Sequence, residues 1–241
     1  MSSFWNPWHG CTRISEGCKN CYVFKLDEMR QTETVIHKNK TNFRLPVRKT
    51  RDGLYKYPSG TLFPTCFTSD FFLPEADQWR DEAWQIIRMR RDCTFEFFTK
   101  RIARASRMLP LDWEDGYPNV RISVSIENQR RADERAPALI DFPCRWRGLT
   151  LAPLLEEVHI EKYLETGKIM HVSAGGEAYA GARPMDFRWI ESLRAQCISF
   201  GVPFTFHQTG ENFIKNDRLY RLASHSLQID QAKKANMDFY P

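Results

Sequence analysis

The chain has 241 residues, of which 42% are apolar and 27% charged, and a formal net charge of +5. This composition suits a folded domain with a sizeable core and excludes a disordered chain or a small disulfide scaffold. No apolar run reaches the ~18 residues of a membrane span, and no basic segment with an apolar stretch opens the chain, so a cytoplasmic protein without membrane contact is expected.

A short strand is predicted near residues 6–8, leading into a loop that carries Cys11, Cys18 and Cys21 among Gly, Ser, Asn and Lys. Residues 22–30 form a short predicted helix. Residues 31–60 are polar and broken by Pro46, Gly53, Pro58 and Gly60, which predicts a surface insertion. A strand follows at 61–67, with Pro64 as an objection. Pro74 and Glu75 open a helix on which Trp79, Ala83, Ile86 and Ile87 share one face. A strand at 93–98 precedes a short basic helix ending near Leu109. A third strand at 120–126 precedes an Arg-rich polar helix through Leu139. Strands are predicted at 145–151, 169–173 and 203–207. Asp186 caps a helix whose Ile190, Leu193 and Cys197 face one side and which Gly201 ends. Residues 212–241 are polar and weakly patterned, a C-terminal extension.

Strands alternating with helices imply βαβ units and a parallel sheet. The predicted fold class is α/β, a complete or partial TIM-type (β/α) barrel in a single domain over 1–211. An open doubly wound sheet is the alternative, although no Gly-rich phosphate fingerprint follows the first strand.

Seven cysteines in such a protein point away from disulfides. Cys66, Cys93, Cys144 and Cys197 lie among apolar neighbours and are expected in the core. The N-terminal trio is different, because its neighbours are loop residues. Three thiolates can hold a metal or an iron–sulfur cluster, and a cluster held by only three leaves one iron open. In the rival arrangement His9, Cys11, Cys18 and Cys21 hold zinc, and the protein is a metal-stabilised nucleic-acid or protein-binding module.

In a parallel barrel the site lies at the C-terminal strand ends. Those ends carry Ser69-Asp70, Lys100-Arg101, Ser125-Ile126-Glu127-Asn128, Ala152-Pro153, Gly175-Gly176-Glu177 and Gln208-Thr209-Gly210-Glu211. Glycines there let backbone approach a ligand, and carboxylates accept hydrogen bonds from an ammonium or ribose. The Arg clusters at 88–91, 100–104 and 130–131 read mainly as solvated helix faces. With the mild basicity they are compatible with a nucleic-acid or phosphate-bearing partner.

Asn6-Pro7-Trp8-His9-Gly10-Cys11 through Cys18-Lys19-Asn20-Cys21-Tyr22 resembles a phage- and bacteria-associated three-Cys-motif family of unknown function. Phe98-Thr99-Lys100-Arg101, Ser123 to Asn128, Gly175-Gly176-Glu177 with Gly181-Ala182-Arg183-Pro184, and Gly201-Val202-Pro203-Phe204 resemble its other blocks in order. That family in turn resembles radical S-adenosylmethionine enzymes of the spore photoproduct lyase type. The resemblance implies a partial barrel of that kind and a 4Fe-4S cluster on Cys11, Cys18 and Cys21. It also implies S-adenosylmethionine on the open iron, cleaved reductively to a radical that abstracts hydrogen from a substrate. Tyr22 matches the aromatic position against the adenine. Ser69, Asp70, Lys100, Ser125, Glu127, Asn128, Gly175, Gly176 and Glu177 are the expected cofactor-binding positions. Arg101, Arg183, Gln208 and Glu211 are the expected substrate-binding positions. A nucleic acid or nucleotide substrate, an external electron donor and a protein partner encoded nearby complete the implied reaction. Two departures stand out: Ala152 where the family usually has Glu, and Thr209 where it often has Trp. The six-residue gap between the first two cysteines is also longer than the usual three.

Overall fold

The computed structural model describes residues 1–241. Its first elements are β1 (Trp8–His9), α1 (Tyr22–Met29), β2 (His37–Lys38), β3 (Leu62–Thr65), α2 (Asp77–Met89), β4 (Thr94–Thr99) and α3 (Ile102–Ala105). Then follow β5 (Val120–Ser125), α4 (Gln129–Ile140), β6 (Arg147–Leu151), α5 (Glu161–Leu164), β7 (His171–Gly175) and β8 (Met185–Asp186). The chain ends with α6 (Phe187–Ser199), β9 (Phe204–Gln208), β10 (Asn212–Lys215), β11 (Arg218–Arg221) and α7 (His225–Ala235).

This is a mixed α/β fold. Six strands form a parallel sheet in the order β3-β4-β5-β6-β7-β9. The order never reverses, so the sheet has no switch point of the doubly wound kind. It is open at both ends and therefore compatible with part of a (β/α) barrel, not a complete one. Just before the strand expected near 6–8, Ser2 and Trp5 form parallel bridges to Leu62 and Thr65 of β3, but β1 itself does not join this sheet. β1 instead pairs antiparallel with β2, in the register Trp8↔Lys38 and His9↔His37.

Contacts divide the chain into two compact units. The first comprises Met1–Thr12, Asp27–Ser123 and Phe142–Trp146. There β3 and β4 pair with Phe63↔Phe95 and Thr65↔Phe97. Pro64 is tolerated because its carbonyl accepts from Trp5 N at 2.9 Å, so its missing N–H faces the short N-terminal segment rather than β4. α2 follows Pro74 and Glu75 and buries Ala83, Trp84, Ile86 and Ile87. Phe71 stacks on Phe97 with centroids 4.1 Å apart, and Trp84 meets Phe71 edge-on at 4.8 Å. Burial of each such ring is worth roughly 1.5–3 kcal/mol.

Residues 31–60 are largely irregular, as predicted, but they are not a loose surface excursion. Phe43 and Leu45 are buried, and Trp5 Nε1 donates to Phe43 O at 2.9 Å. Arg90 is completely buried and donates to the carbonyls of Pro46 and Tyr57 while pairing with Asp92. Its place in an Arg cluster suggested a solvated face. Five guanidinium donors make it a strap for backbone carbonyls instead.

The second unit comprises Arg13–Leu26, Val124–Asp141 and Arg147–Pro241. Its strands alternate strictly. Leu149↔Val172↔Phe204 and Leu151↔Ala174↔Phe206 line one face, and Thr150↔Ser173↔Thr205 line the other. Phe187 of α6 packs toward Phe206 on the apolar face, with centroids 6.1 Å apart. Parallel strands covered on both faces are normally near-continuous apolar runs, so a hydroxyl-lined second face is unusual. Ser173 donates to Thr150 at 3.2 Å, and Thr205 lies 3.0 Å from His171 Nε2 and 3.1 Å from Tyr240 OH.

Residues 212–241 are ordered more fully than their pattern suggests. β10 and β11 form a hairpin on β8, and Phe239 exchanges backbone hydrogen bonds with Phe204. Asp186 caps α6 by accepting from Arg188 N, as expected. Cys66, Cys93, Cys144 and Cys197 are buried and no cysteine is in a disulfide. Burial pushes the Cys197 thiol up to about 12, which suits an inert core residue.

Candidate functional site

The cysteine segment is fixed by charge, one unit at a time. In the first unit, Asp70 follows β3 and is 4% exposed. Its carboxylate accepts from Thr99 Oγ1 at 2.8 Å, Phe72 N at 2.9 Å and Lys100 N at 3.0 Å. Arg101 Nη1 completes the set at 3.1 Å. The other guanidinium nitrogen donates to Thr12 O at 2.9 Å and Thr12 Oγ1 at 2.7 Å. Nη1 also lies 3.7 Å from Cys11 Sγ. Burial works against the charge of Arg101, but Asp70 beside it more than compensates and raises its pKa. Ser69 Oγ donates to Gly10 O at 2.6 Å. Five expected site residues, Cys11, Ser69, Asp70, Lys100 and Arg101, are thus brought together.

In the second unit two buried carboxylates hold the loop 13–21. Glu127, at the exit of β5, is fully buried. It accepts from Ser15 Oγ and from Arg135 Nη1, the latter at 2.7 Å, and Arg135 also donates to Ser125 O. Gly17 lies against it so closely that a Cβ there would come within 2.4 Å of Glu127 Cγ. Cys18 is buried, with its N–H on Ser15 O at 2.9 Å and its sulfur 3.7 Å from Ser15 Oγ. Arg13 Nε donates to Cys18 O at 3.2 Å, and its guanidinium lies over the Phe24 ring.

Glu177, after β7, holds the other end. It accepts from Asn20 Nδ2 at 2.9 Å and from Arg183 N at 2.8 Å, and it pairs with the Arg183 guanidinium. Burial alone would raise its pKa. The hydrogen bonds from Arg183 and Asn20 outweigh this and hold it below the ordinary carboxylate value. Arg183 also donates to Glu16 O at 3.0 Å. Glu16 is bidentate with Arg131, at 2.9 and 3.1 Å, which lowers its pKa to about 2.

The remaining expected residues serve mostly as scaffold. Asn128 Oδ1 caps α4 by accepting from Arg131 N at 2.9 Å. A Cβ on Gly176 would come within 2.4 Å of Thr209 O, so this glycine admits neighbouring backbone. Gly175 packs against Gln208. Gln208 donates to Gly176 O at 3.0 Å and bonds His225. Glu211 pairs with Arg221 at 2.9 Å. Tyr22 opens α1 and is partly exposed. Thr209 is buried, its N–H on Gln228 O at 3.3 Å.

Cys11 and Cys21 keep partial exposure while Cys18 is buried. No group of three or more His, Cys, Asp or Glu side chains is gathered in a metal-holding arrangement. His9 directs Nε2 to Asp27 Oδ2 at 2.9 Å, which commits that nitrogen away from the cysteines. Sequence reasoning missed Ser15, Gly17, Asn20, Arg131 and Arg135. It also missed the hydroxyl row Thr150, Ser173 and Thr205, whose signal was the polar–apolar alternation in His171-Val172-Ser173-Ala174 and Phe204-Thr205-Phe206.

A family model described as a protein of unknown function, DUF5131, matches residues 1–238. No curated protein and no solved structure matches the chain.

Proposed function

Because the chain belongs to the DUF5131 family, whose description assigns no activity, we propose its function from its own residues: an iron–sulfur enzyme of the radical S-adenosylmethionine type. Cys11, Cys18 and Cys21 would hold a 4Fe-4S cluster. The observation that carries this reading is that the loop bearing Cys18 and Cys21, neither in a disulfide, is held by two buried carboxylates with their own arginines, Glu127–Arg135 and Glu177–Arg183, while Arg101 stands beside Cys11. A loop with no exacting task has no use for a desolvated ion pair such as Glu127–Arg135, which costs several kcal/mol of desolvation per ion before it is repaid. The donor set fits the group, because soft thiolates are the usual ligands of iron–sulfur clusters.

When bound, the cluster and S-adenosylmethionine supply reductive sulfonium cleavage and hydrogen abstraction. The chain's residues do the rest. Arg101 sets fixed positive charge 3.7 Å from the Cys11 sulfur, the polarity a thiolate ligand requires. Ser15 and Glu127 fix the Cys18 turn, and Asn20 and Glu177 fix the approach to Cys21. Tyr22 offers a partly exposed ring for an adenine. Thr150, Ser173 and Thr205 offer hydroxyls along one sheet face for a polar substrate. A nucleotide or nucleic acid is the proposed substrate class, supported by the net charge of +5.

The test is anaerobic reconstitution with iron and sulfide, followed by reduction and addition of S-adenosylmethionine. Brown protein with about four irons per chain, a spectrum perturbed by S-adenosylmethionine and formation of 5′-deoxyadenosine are expected. Stoichiometric zinc without iron, or a reduced cluster that yields no 5′-deoxyadenosine, refutes the reading.

A further inference from the structure

Within the first unit a cleft of about 390 Å³ is lined by His9, Asp27, Arg30, Glu33 and His37, among others. Two histidines face each other there. The antiparallel register β1–β2 makes His9 and His37 direct cross-strand partners, so both side chains leave the same face of the ribbon. Their ring centroids are 5.5 Å apart.

The outer nitrogen of each ring is already committed. His9 Nε2 lies 2.9 Å from Asp27 Oδ2, and Thr34 Oγ1 donates to the same oxygen at 2.8 Å. His37 Nδ1 lies 2.8 Å from Val35 O. A carbonyl or a carboxylate can only accept, so those nitrogens carry the protons. The lone pairs are left on His9 Nδ1 and His37 Nε2. Carboxylate–imidazole and carbonyl–imidazole pairs of this kind orient the histidines of metal sites. Two imidazoles bound tetrahedrally at ~2.0–2.1 Å place their ring centroids about 5 Å apart, close to the spacing found here.

We propose that His9 and His37 form a two-imidazole site for a divalent zinc-class cation, with water completing the coordination. Neutral imidazole suits zinc, nickel and copper rather than magnesium or calcium. The site uses none of the three N-terminal cysteines and stands whether or not they hold a cluster.

The test is zinc titration of the full chain, labelled with nitrogen-15 and kept reduced, with the histidine ring nitrogens observed by long-range proton–nitrogen spectra. Cobalt titration in parallel follows the cysteines through their thiolate charge-transfer band. Zinc is expected to shift His9 Nδ1 and His37 Nε2 together. His37→Ala should weaken the response at His9 by more than the roughly 10–100-fold that loss of an outer partner costs, with the thiolate band unchanged. His37 is exposed and bonds only the nearby Val35 carbonyl, so the variant is expected to fold. Histidine signals that stay still while the thiolate band grows, or an unweakened response in His37→Ala, overturn the proposal.

Discussion

Arg135→Met tests the reasoning about the cysteine loop most directly. Glu127 is fully buried and the Arg135 side chain is 6% exposed, so the pair is desolvated. Removing the cation strands a buried carboxylate, a change that costs roughly 3–5 kcal/mol. The Ser125 carbonyl loses its side-chain donor as well. By contrast, Arg130 and Glu134 form an exposed pair one helical turn apart, worth about 0.3–0.5 kcal/mol. Arg130→Ala is therefore the internal control. With a urea slope of about 2 kcal/mol per molar, Arg135→Met should lower the unfolding midpoint by about 2 M, and Arg130→Ala by at most ~0.3 M. A double change, Glu127→Met with Arg135→Met, should cost less than the sum of the single ones, because no charge is left stranded. Glu127→Ala additionally frees Ser15 and the Cys18 turn, so alkylation of Cys18 in the native state should accelerate. If Arg135→Met stays within about 1 kcal/mol of the parent, or if Glu127→Ala leaves Cys18 as slow to alkylate as before, the two residues do not clamp the loop as argued.

Gly176→Ala places a Cβ against Thr209 backbone, which cannot rotate away, so a loss of ~1–3 kcal/mol in denaturant unfolding is expected; an unchanged midpoint would show that the two strand exits can part. The Glu177 pKa is depressed in the folded state, so its contribution is present above the unfolded carboxylate value of ~4.3 and is lost as pH falls through the folded value. Unfolding midpoints measured from pH 6 to pH 2.5 should therefore drop more steeply for the parent than for Glu177→Gln, and parallel curves would contradict the assignment. Cys21→Ala, at a partly exposed position, should keep its circular dichroism and lose the brown chromophore on reconstitution; retention of full iron by this variant removes Cys21 from the ligand set.

Several features were legible because their causes are local. Pro74 and Glu75 announce α2, Asp186 caps α6, and the Gly, Ser and Asn around Cys11, Cys18 and Cys21 mark a connecting segment rather than a core strand or helix. The parallel sheet was legible from the alternation of strands and helices, since a right-handed crossover is nearly the only way to join parallel neighbours. The strand exits were correctly picked out as charged and polar, but what those charges do was not readable. The sequence marks Glu127 and Glu177 as candidate cofactor ligands but gives no sign that each also binds the cysteine loop, at separations of 112 and 157 residues from Ser15 and Asn20.

Arg90 lies in a basic cluster that reads as a solvated face, and Arg135 in a helix that reads as polar, yet both are buried. Helical periodicity places a side chain on a face, but only the packed neighbours decide whether that face meets water or a carboxylate. The same holds for β1, whose partner β2 lies in a segment with no strand signal, and for residues 212–241, whose weak pattern concealed a hairpin and a docked helix. Sequence alone determined which residues could do chemistry and how the backbone alternates, because turns, caps and periodicity act over a few residues. The tertiary structure decided which charges are desolvated and with what they pair, because burial belongs to no residue until distant segments close over it.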